Sequence, residues 1–309
     1  MLSNTHKKQN NTLRNPGNVP GRLEEYLQER HPASTVRYYT RDIALYLQEH
    51  PKASEYGYTA ITGYIGGLRK RYSNARTVTR ILQAIKKYYQ YLHYSGQRKD
   101  NPAKAIRLRD NKAKPIQLQD LFTIAELQML LQPKKERYPF LAIRNKTMMS
   151  LLVYQGLKIG ELIQVEIRHI SLSAASIFVP GTEKTNKRTL ALKAEQVMLL
   201  HDYISVARPK LITANTGNST RLLLSKLGQP IGIAEVQYLI GTYRHLYPGR
   251  HLTAQSIRMS VIRNLLDAGN DIRIVQVFAG HKRPDATEQY KQSHVDTLKT
   301  EIQKYHPLG

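Results

Sequence analysis

The sequence predicts a mainly α-helical chain with a small antiparallel β element, divided into a helical N-terminal domain and an α+β C-terminal domain. Three observations carry this. Apolar residues recur at helical spacing through much of residues 20 to 107. Two short β-like runs flank a polar turn near residue 184. A basic, proline-bearing stretch, "LRDNKAKPIQL" at 108–118, separates the two regions as a linker. A chain of 309 residues suits about two domains, and 41% hydrophobic residues are enough to give each a core.

Residues 1–19 are polar and rich in Asn, with Pro16, Gly17 and then Pro20 as breakers, the composition of a mobile tail. In "STVRYYTRDIALYLQEH", Ser34 or Thr35 is the expected cap of a helix carrying Val36, Tyr39, Ile43, Tyr46 and Leu47 close to helical spacing. "TAITGYIGGLRKRY" repeats the arrangement with Thr59 as cap. In "TVTRILQAIKKYYQYLHYSG" the stripe is stronger: Val78, Ile81, Leu82, Ile85, Tyr88, Tyr89 and Leu92 share a face, and Gly96 is the stop. Three or four short helices thus form a domain over 20–107. Tyr88, Tyr89, Tyr91 and Tyr94 belong to its core and rim.

The second domain, 119–309, opens on "TIAEL", where Thr123 and Glu126 form a capping box. A helix ending near Gly156 follows. "ASIFVPG" and "RTLALK", separated by "TEKTNK", read as a β-hairpin, and the remainder is again mainly helical.

Charge restricts the function. Lys and Arg number 47 against 23 Asp and Glu, a net +24. So basic a chain calls for a polyanionic partner, either nucleic acid or an anionic membrane. No run approaches the ~18 apolar residues that span a bilayer, and "MLSNTHKKQNNT" lacks the apolar core of a signal peptide, so a cytoplasmic, nucleoid-associated protein is expected. With no cysteine, disulfides and thiolate metal sites are excluded. Arg69, Lys70, Arg71, Arg76, Arg80, Lys86 and Lys87 decorate the outer helical faces with few acids interleaved. For any one of them a solvated surface suffices; as a set they suit phosphate binding.

Four stretches, in order, resemble motifs of the tyrosine recombinases, the phage-integrase family. "YQGLKIGEL" (154–162) is similar to TGLRxSEL, and "EKTNKRTLAL" (183–192) to the family's lysine-bearing hairpin. "LTAQSIRMS" (252–260) stands where the family has HxxR, and "FAGHKRPDATEQY" (278–290) resembles LGHxxxxTTxxY. Lys158 precedes Arg258 by 100 residues, Arg258 precedes His281 by 23, and His281 precedes Tyr290 by 9, similar to the family's spacings. The resemblance covers about residues 20–309.

The resemblance implies a SAM-like core-binding domain and a recombinase catalytic domain that close as a C-shaped DNA clamp. It implies Tyr290 as nucleophile, Arg258 as the second phosphate-clamping arginine, His281 as the late histidine, Lys184 as the hairpin lysine and Glu161 as the supporting acid. Lys187 and Arg188 share the Lys184 turn and are further candidate DNA contacts. Two positions depart from the pattern. Lys158 stands in place of the first arginine and keeps the charge without the planar fork. Gln255 stands in place of the first histidine and can donate a hydrogen bond but cannot titrate near neutral pH. Met259 replaces a histidine often found after the second arginine.

No metal and no cofactor are implied, because a phosphotyrosyl bond conserves the energy needed for religation. The implied partner is double-stranded DNA with inverted half-sites, bound by a homo-tetramer that exchanges strands through a Holliday junction, as in mobile-element integration or transposition. "SHVDTLKTEIQKYHPLG" (293–309) resembles the terminal helix that docks on a neighbouring protomer. The rival is a catalytically impaired DNA-binding subunit working in a hetero-oligomer with an active recombinase. A type IB topoisomerase and a simple basic DNA binder explain fewer of the motifs.

Overall fold

A computed structural model describes residues 21–109, 120–212 and 219–290. The expected tail, most of the linker and the expected terminal helix lie outside the described residues. The chain divides into two compact units, with the division between residues 114 and 115.

The first unit holds α1 (Gly21–Gln28), α2 (Ala33–Glu49), α3 (Tyr58–Arg71) and α4 (Ala75–Tyr94). All seven residues of the α4 stripe are buried, against Leu23 and Leu27 of α1, Ile43 of α2 and Ile61 and Ile65 of α3. Tyr46 and Tyr89 satisfy their buried hydroxyls mutually at 2.9 Å, and Tyr89 Oη donates to the Ala53 carbonyl at 2.6 Å. Tyr88, Tyr89 and Tyr91 are core, whereas Tyr94 is exposed. Two caps differ from expectation. Pro32, with its ring-set φ of −59°, precedes α2, so Ser34 and Thr35 lie within the first turn; Gly57 precedes α3, so Thr59 does too. Asn74 caps α4 by accepting from the Arg76 N–H.

The second unit begins with α5 (Ile124–Met129), whose Thr123–Glu126 capping box is formed in both directions. Helix α6 (Pro139–Gln155) is buried nearly all round, with Met148, Met149, Leu151 and Leu152 in the core. It ends at Gly156 in the left-handed region, φ +57°. The short α7 (Ile159–Leu162) leads to a three-stranded antiparallel sheet: β1 (Ile170–Ser171), β2 (Ser176–Val179) and β3 (Arg188–Ala191) in that order. The hairpin pairs Ile177 with Leu190 and Val179 with Arg188. Strand β1 goes beyond the expected hairpin; at two residues it is too short to leave a period-2 signature. Helices α8 (Ala194–Asp202), α9 (Ile233–Gly241), α10 (Ala254–Asp267), α11 (Ile272–Ala279) and α12 (Asp285–Glu288) complete the unit.

Candidate active site

Arg258 sits on α10, whose first turn is fixed by Thr253: its hydroxyl accepts from the Ser256 N–H while Ser256 Oγ accepts from the Thr253 N–H. The Arg258 side chain is 2% exposed and reaches two helix ends. Nη1 donates to the Gly156 carbonyl at 2.7 Å, and Nη2 donates to the Ala279 carbonyl. These carbonyls end α6 and α11, where helices leave acceptors unpaired and carry partial negative charge. Burial pushes the Arg258 pKa down and Glu161 pushes it back up; an arginine remains charged there.

Glu161 of α7 is fully buried and collects the neighbouring cations. Arg188 grips it with both terminal nitrogens, at 2.8 and 3.1 Å, and Arg258 Nη1 lies 3.8 Å from it. Its Oε2 also accepts from the Lys158 N–H at 3.0 Å. Burial alone would raise the Glu161 pKa, but the Arg188 hydrogen bonds and charge outweigh it and hold the carboxylate below its ordinary value. Half-buried Lys158 starts the same helix; burial, then repulsion from Arg258, lowers its pKa.

His281 follows Gly280, the left-handed cap of α11. Its Nδ1 pairs with the buried Thr287 hydroxyl at 2.8 Å, which leaves Nε2 for another partner. Burial, with the charges of Arg258, Lys158 and Arg188, drives its pKa down to about 4, so the ring is neutral at neutral pH. Tyr290, just past α12, is 3% exposed and packs with Ile262, Val275 and Ala279. Its burial raises the phenol pKa, and the Arg258 charge partly offsets that. Tyr290 is therefore at once a packed aromatic and a neighbour of the central cation.

Lys184 and Lys187 are exposed on the β2–β3 turn, and Gln255 is exposed on α10. Arg188 begins β3, where the run RTLALK is expected, but in place of the candidate DNA contact grouped with Lys187 it points inward onto Glu161. Strand alternation could have found this, because Arg188, Leu190 and Leu192 share a parity and all three are buried. Sequence reasoning also passed over Thr185, buried and hydrogen-bonded to Glu161, and Thr287. His245 and His251, close in sequence to Gln255, are exposed, and His245 Nδ1 engages the Thr242 carbonyl of its own turn.

In the first unit, Arg69, Lys70 and Arg71 occupy the exposed last turn of α3, and Arg76, Arg80, Lys86 and Lys87 lie along α4. Acids are not absent from their neighbourhood. Glu49 pairs with Arg71 at 2.7 Å, and the buried Asp42 pairs with Arg80 and, at 3.2 Å, with Arg41. Lys86 Nζ donates to the Lys104 carbonyl at 3.2 Å and Lys87 Nζ to Gln90 at 3.1 Å. With Lys99 and Lys104, two lysines not singled out from sequence, they line a groove of about 510 Å³. Among the described residues no helix is long and apolar enough to cross a membrane.

Residues 120–296 match the phage integrase family model. A tyrosine recombinase XerC of Lactobacillus leichmannii is 31% identical over 235 residues, 75% of this chain and 77% of that protein. A tyrosine recombinase XerD of Oceanobacillus iheyensis is 27% identical over 285 residues, 89% of this chain and 92% of the relative. Among solved structures, the XerH site-specific recombinase bound to a palindromic difH substrate aligns with a TM-score of 0.68 at 18% identity, covering 93% of this chain and 84% of that one. A lambda integrase dimer bound to a COC′ core site aligns at 0.65 and 16%, covering 87% and 75%. These structures share the fold.

Proposed function

The chain belongs to the phage integrase family of tyrosine recombinases, and on that premise we propose that it cuts and rejoins double-stranded DNA through a 3′-phosphotyrosyl intermediate on Tyr290. The observation that carries the reading is the gathering of Lys158, Glu161, Arg188, Arg258, His281 and Tyr290 into one largely buried charge network.

A phosphodiester repels nucleophiles, and its transition state concentrates charge on the non-bridging oxygens, so preorganised cations and donors are required there. Arg258 supplies the guanidinium, held by two helix carboxyl ends so that its remaining N–H groups are aimed in advance. Lys158 adds a point charge, and Gln255 adds an amide donor. Tyr290 Oη forms the bond to phosphorus while the bond to the 5′ oxygen breaks. Lys184 supplies the proton to that oxygen. In the tautomer whose Nδ1–H donates to Thr287, His281 presents Nε2 as acceptor for the phenol proton. Tyr290 must leave its apolar pocket on engaging DNA, since only 3% of it is exposed. Religation reverses these steps with a new 5′ hydroxyl, so neither ATP nor a metal is consumed.

Lys158 and Gln255 weaken the site without emptying it. Losing one preorganised donor lowers rates by ~10²–10³, but effects within one site are seldom additive, and Lys158 is a replacement. A recombinase turns over once per junction, so a slow site suffices. The basic faces of α3 and α4 bind the phosphates of an inverted half-site, and four protomers exchange strands. The setting is a mobile element, in the cytoplasm with the nucleoid.

A second reading is favoured by Lys158 and by the exposure of Gln255: a DNA-binding subunit that relies on an active partner recombinase. A nicked suicide half-site separates them. Cleavage by this chain leaves DNA covalently attached to wild type and not to Tyr290→Phe; a pure binding subunit leaves no adduct with either.

A further inference from the structure

We propose that Arg188 is a positioning residue that locks the Lys184 turn against the phosphate site and so governs protonation of the leaving oxygen. The inference rests on the recombinase reading above and names a residue whose side chain is buried on Glu161.

Three separated parts of the chain meet at this guanidinium. On one side it grips Glu161, at 2.8 and 3.1 Å, whose carboxylate also holds the Lys158 N–H. Along its own hairpin, Nη1 reaches the Asn186 carbonyl at 3.4 Å. On the third side it lies against Gly280, whose φ of +66° favours glycine: a Cβ there would stand 2.6 Å from Arg188 Nη1 and 3.0 Å from the Asn186 oxygen, so any larger residue displaces them. The Asn186 N–H donates to the Gly280 carbonyl at 2.9 Å, and Thr185 bridges to His281. The hairpin tip that carries Lys184 is thus fastened to the segment that carries His281 and to the helix that begins with Lys158.

Energetics favours a positioning role over a purely stabilising one. A buried ion pair is often no more stabilising than apolar residues of the same volume, because desolvation offsets the attraction. Its geometry, in contrast, is strict: the planar fork accepts a carboxylate in one orientation, which fixes β3 relative to α7. The Arg188 Nε is buried with no partner among the described residues. Such an orphan is tolerated where the rest of the group is held firmly.

The role can be isolated chemically. In cleavage, the Tyr290 Oη–P bond forms, the P–O5′ bond breaks and the electron pair left on O5′ takes a proton from Lys184 Nζ. If sulfur replaces the bridging 5′ oxygen, the leaving group is a thiolate, whose parent acid has a pKa of about 8.5, and it departs without a proton. Adduct formation on nicked half-sites with bridging oxygen or sulfur is therefore measured for wild type, Lys184→Ala, Arg188→Lys and Gly280→Ala. Gly280→Ala displaces the same contact from the opposite side, and a gel shift on the uncleaved half-site reports that each variant is folded.

Arg188→Lys and Gly280→Ala are expected to bind DNA like wild type, to slow on the oxygen substrate by ~10² or more, and to recover on sulfur alongside Lys184→Ala. If Lys184→Ala recovers on sulfur while Arg188→Lys stays equally slow on both substrates, Arg188 acts on the phosphate clamp and the proposal is overturned. Wild-type rates for Arg188→Lys on both substrates overturn it too. If wild type itself forms no adduct, or Lys184→Ala fails to recover on sulfur, it is the underlying reading of the site that falls, and this inference with it.

Discussion

Arg258 and Glu161 lie 3.8 Å apart, both buried, yet the arginine directs its hydrogen bonds to the carbonyls of Gly156 and Ala279. The carboxylate is saturated by Arg188 and the Lys158 N–H. Arg258 is thereby held by neutral dipoles and keeps the charge that the proposed mechanism directs at a phosphate. Arg258→Lys retains that charge but cannot span two carbonyls and an oxyanion together. Cleavage of a half-site should fall by ~10²–10³, with half-site affinity little changed, as measured by single-turnover adduct formation and gel shift.

Tyr290→Phe separates packing from chemistry. The ring stays against Ile262, Val275 and Ala279, and only the hydroxyl is lost. Stability to urea should change by no more than about 1.5 kcal/mol, the net worth of one hydrogen bond. Covalent adduct should disappear entirely.

His281 gives a pH signature with a definite sign. Its folded pKa of about 4 lies below the ordinary 6.5, so the unfolded chain binds the extra proton between those values. Its contribution is fully present above 6.5 and is lost as pH falls toward 4. Glu161, held below 4.5, adds to the loss at the acid end of that window. Thermal unfolding should therefore drop progressively below pH 6.5. An NMR titration, assigned with His281→Asn, should find this imidazole titrating near 4; titration near 6.5 would contradict the burial described.

Asp42 holds Arg80 and Arg41 from a buried position in the first unit. Asp42→Ala leaves Arg80 partly buried and without this acid, which should destabilise the unit by about 1–3 kcal/mol in denaturant unfolding. Half-site binding should meanwhile fall by ~10³ or more as salt rises from about 50 to 200 mM, the mark of many phosphate contacts. A flat salt response would mean that the +24 charge lies mostly away from the DNA.

How much of this was legible in the sequence differs from element to element. The α4 stripe and the Thr123–Glu126 box are local patterns, and both appear in the structure as read. The starts of α2 and α3 are not legible because Pro32 and Gly57 begin helices through backbone geometry, with no side-chain acceptor to advertise them. Asp42 and Glu49 escaped because each reaches across 38 and 22 residues to Arg80 and Arg71. The ordered motifs identified which residues to watch. What they could not convey was direction: Arg188 turns inward with Leu190, Gln255 outward, and Tyr290 into an apolar pocket. Those directions follow from strand parity and tertiary contact.

The central claim is that Lys158 and Gln255 belong to a working site. The direct measurement is the rate of covalent adduct formation on a nicked half-site cut from the DNA flanking the gene, for the native chain and for Lys158→Arg/Gln255→His. The account predicts an adduct with the native chain, lost in Tyr290→Phe, and a restored protein faster by ~10² or more. An adduct formed only by the restored protein would contradict it and make the native chain a DNA-binding partner of another recombinase.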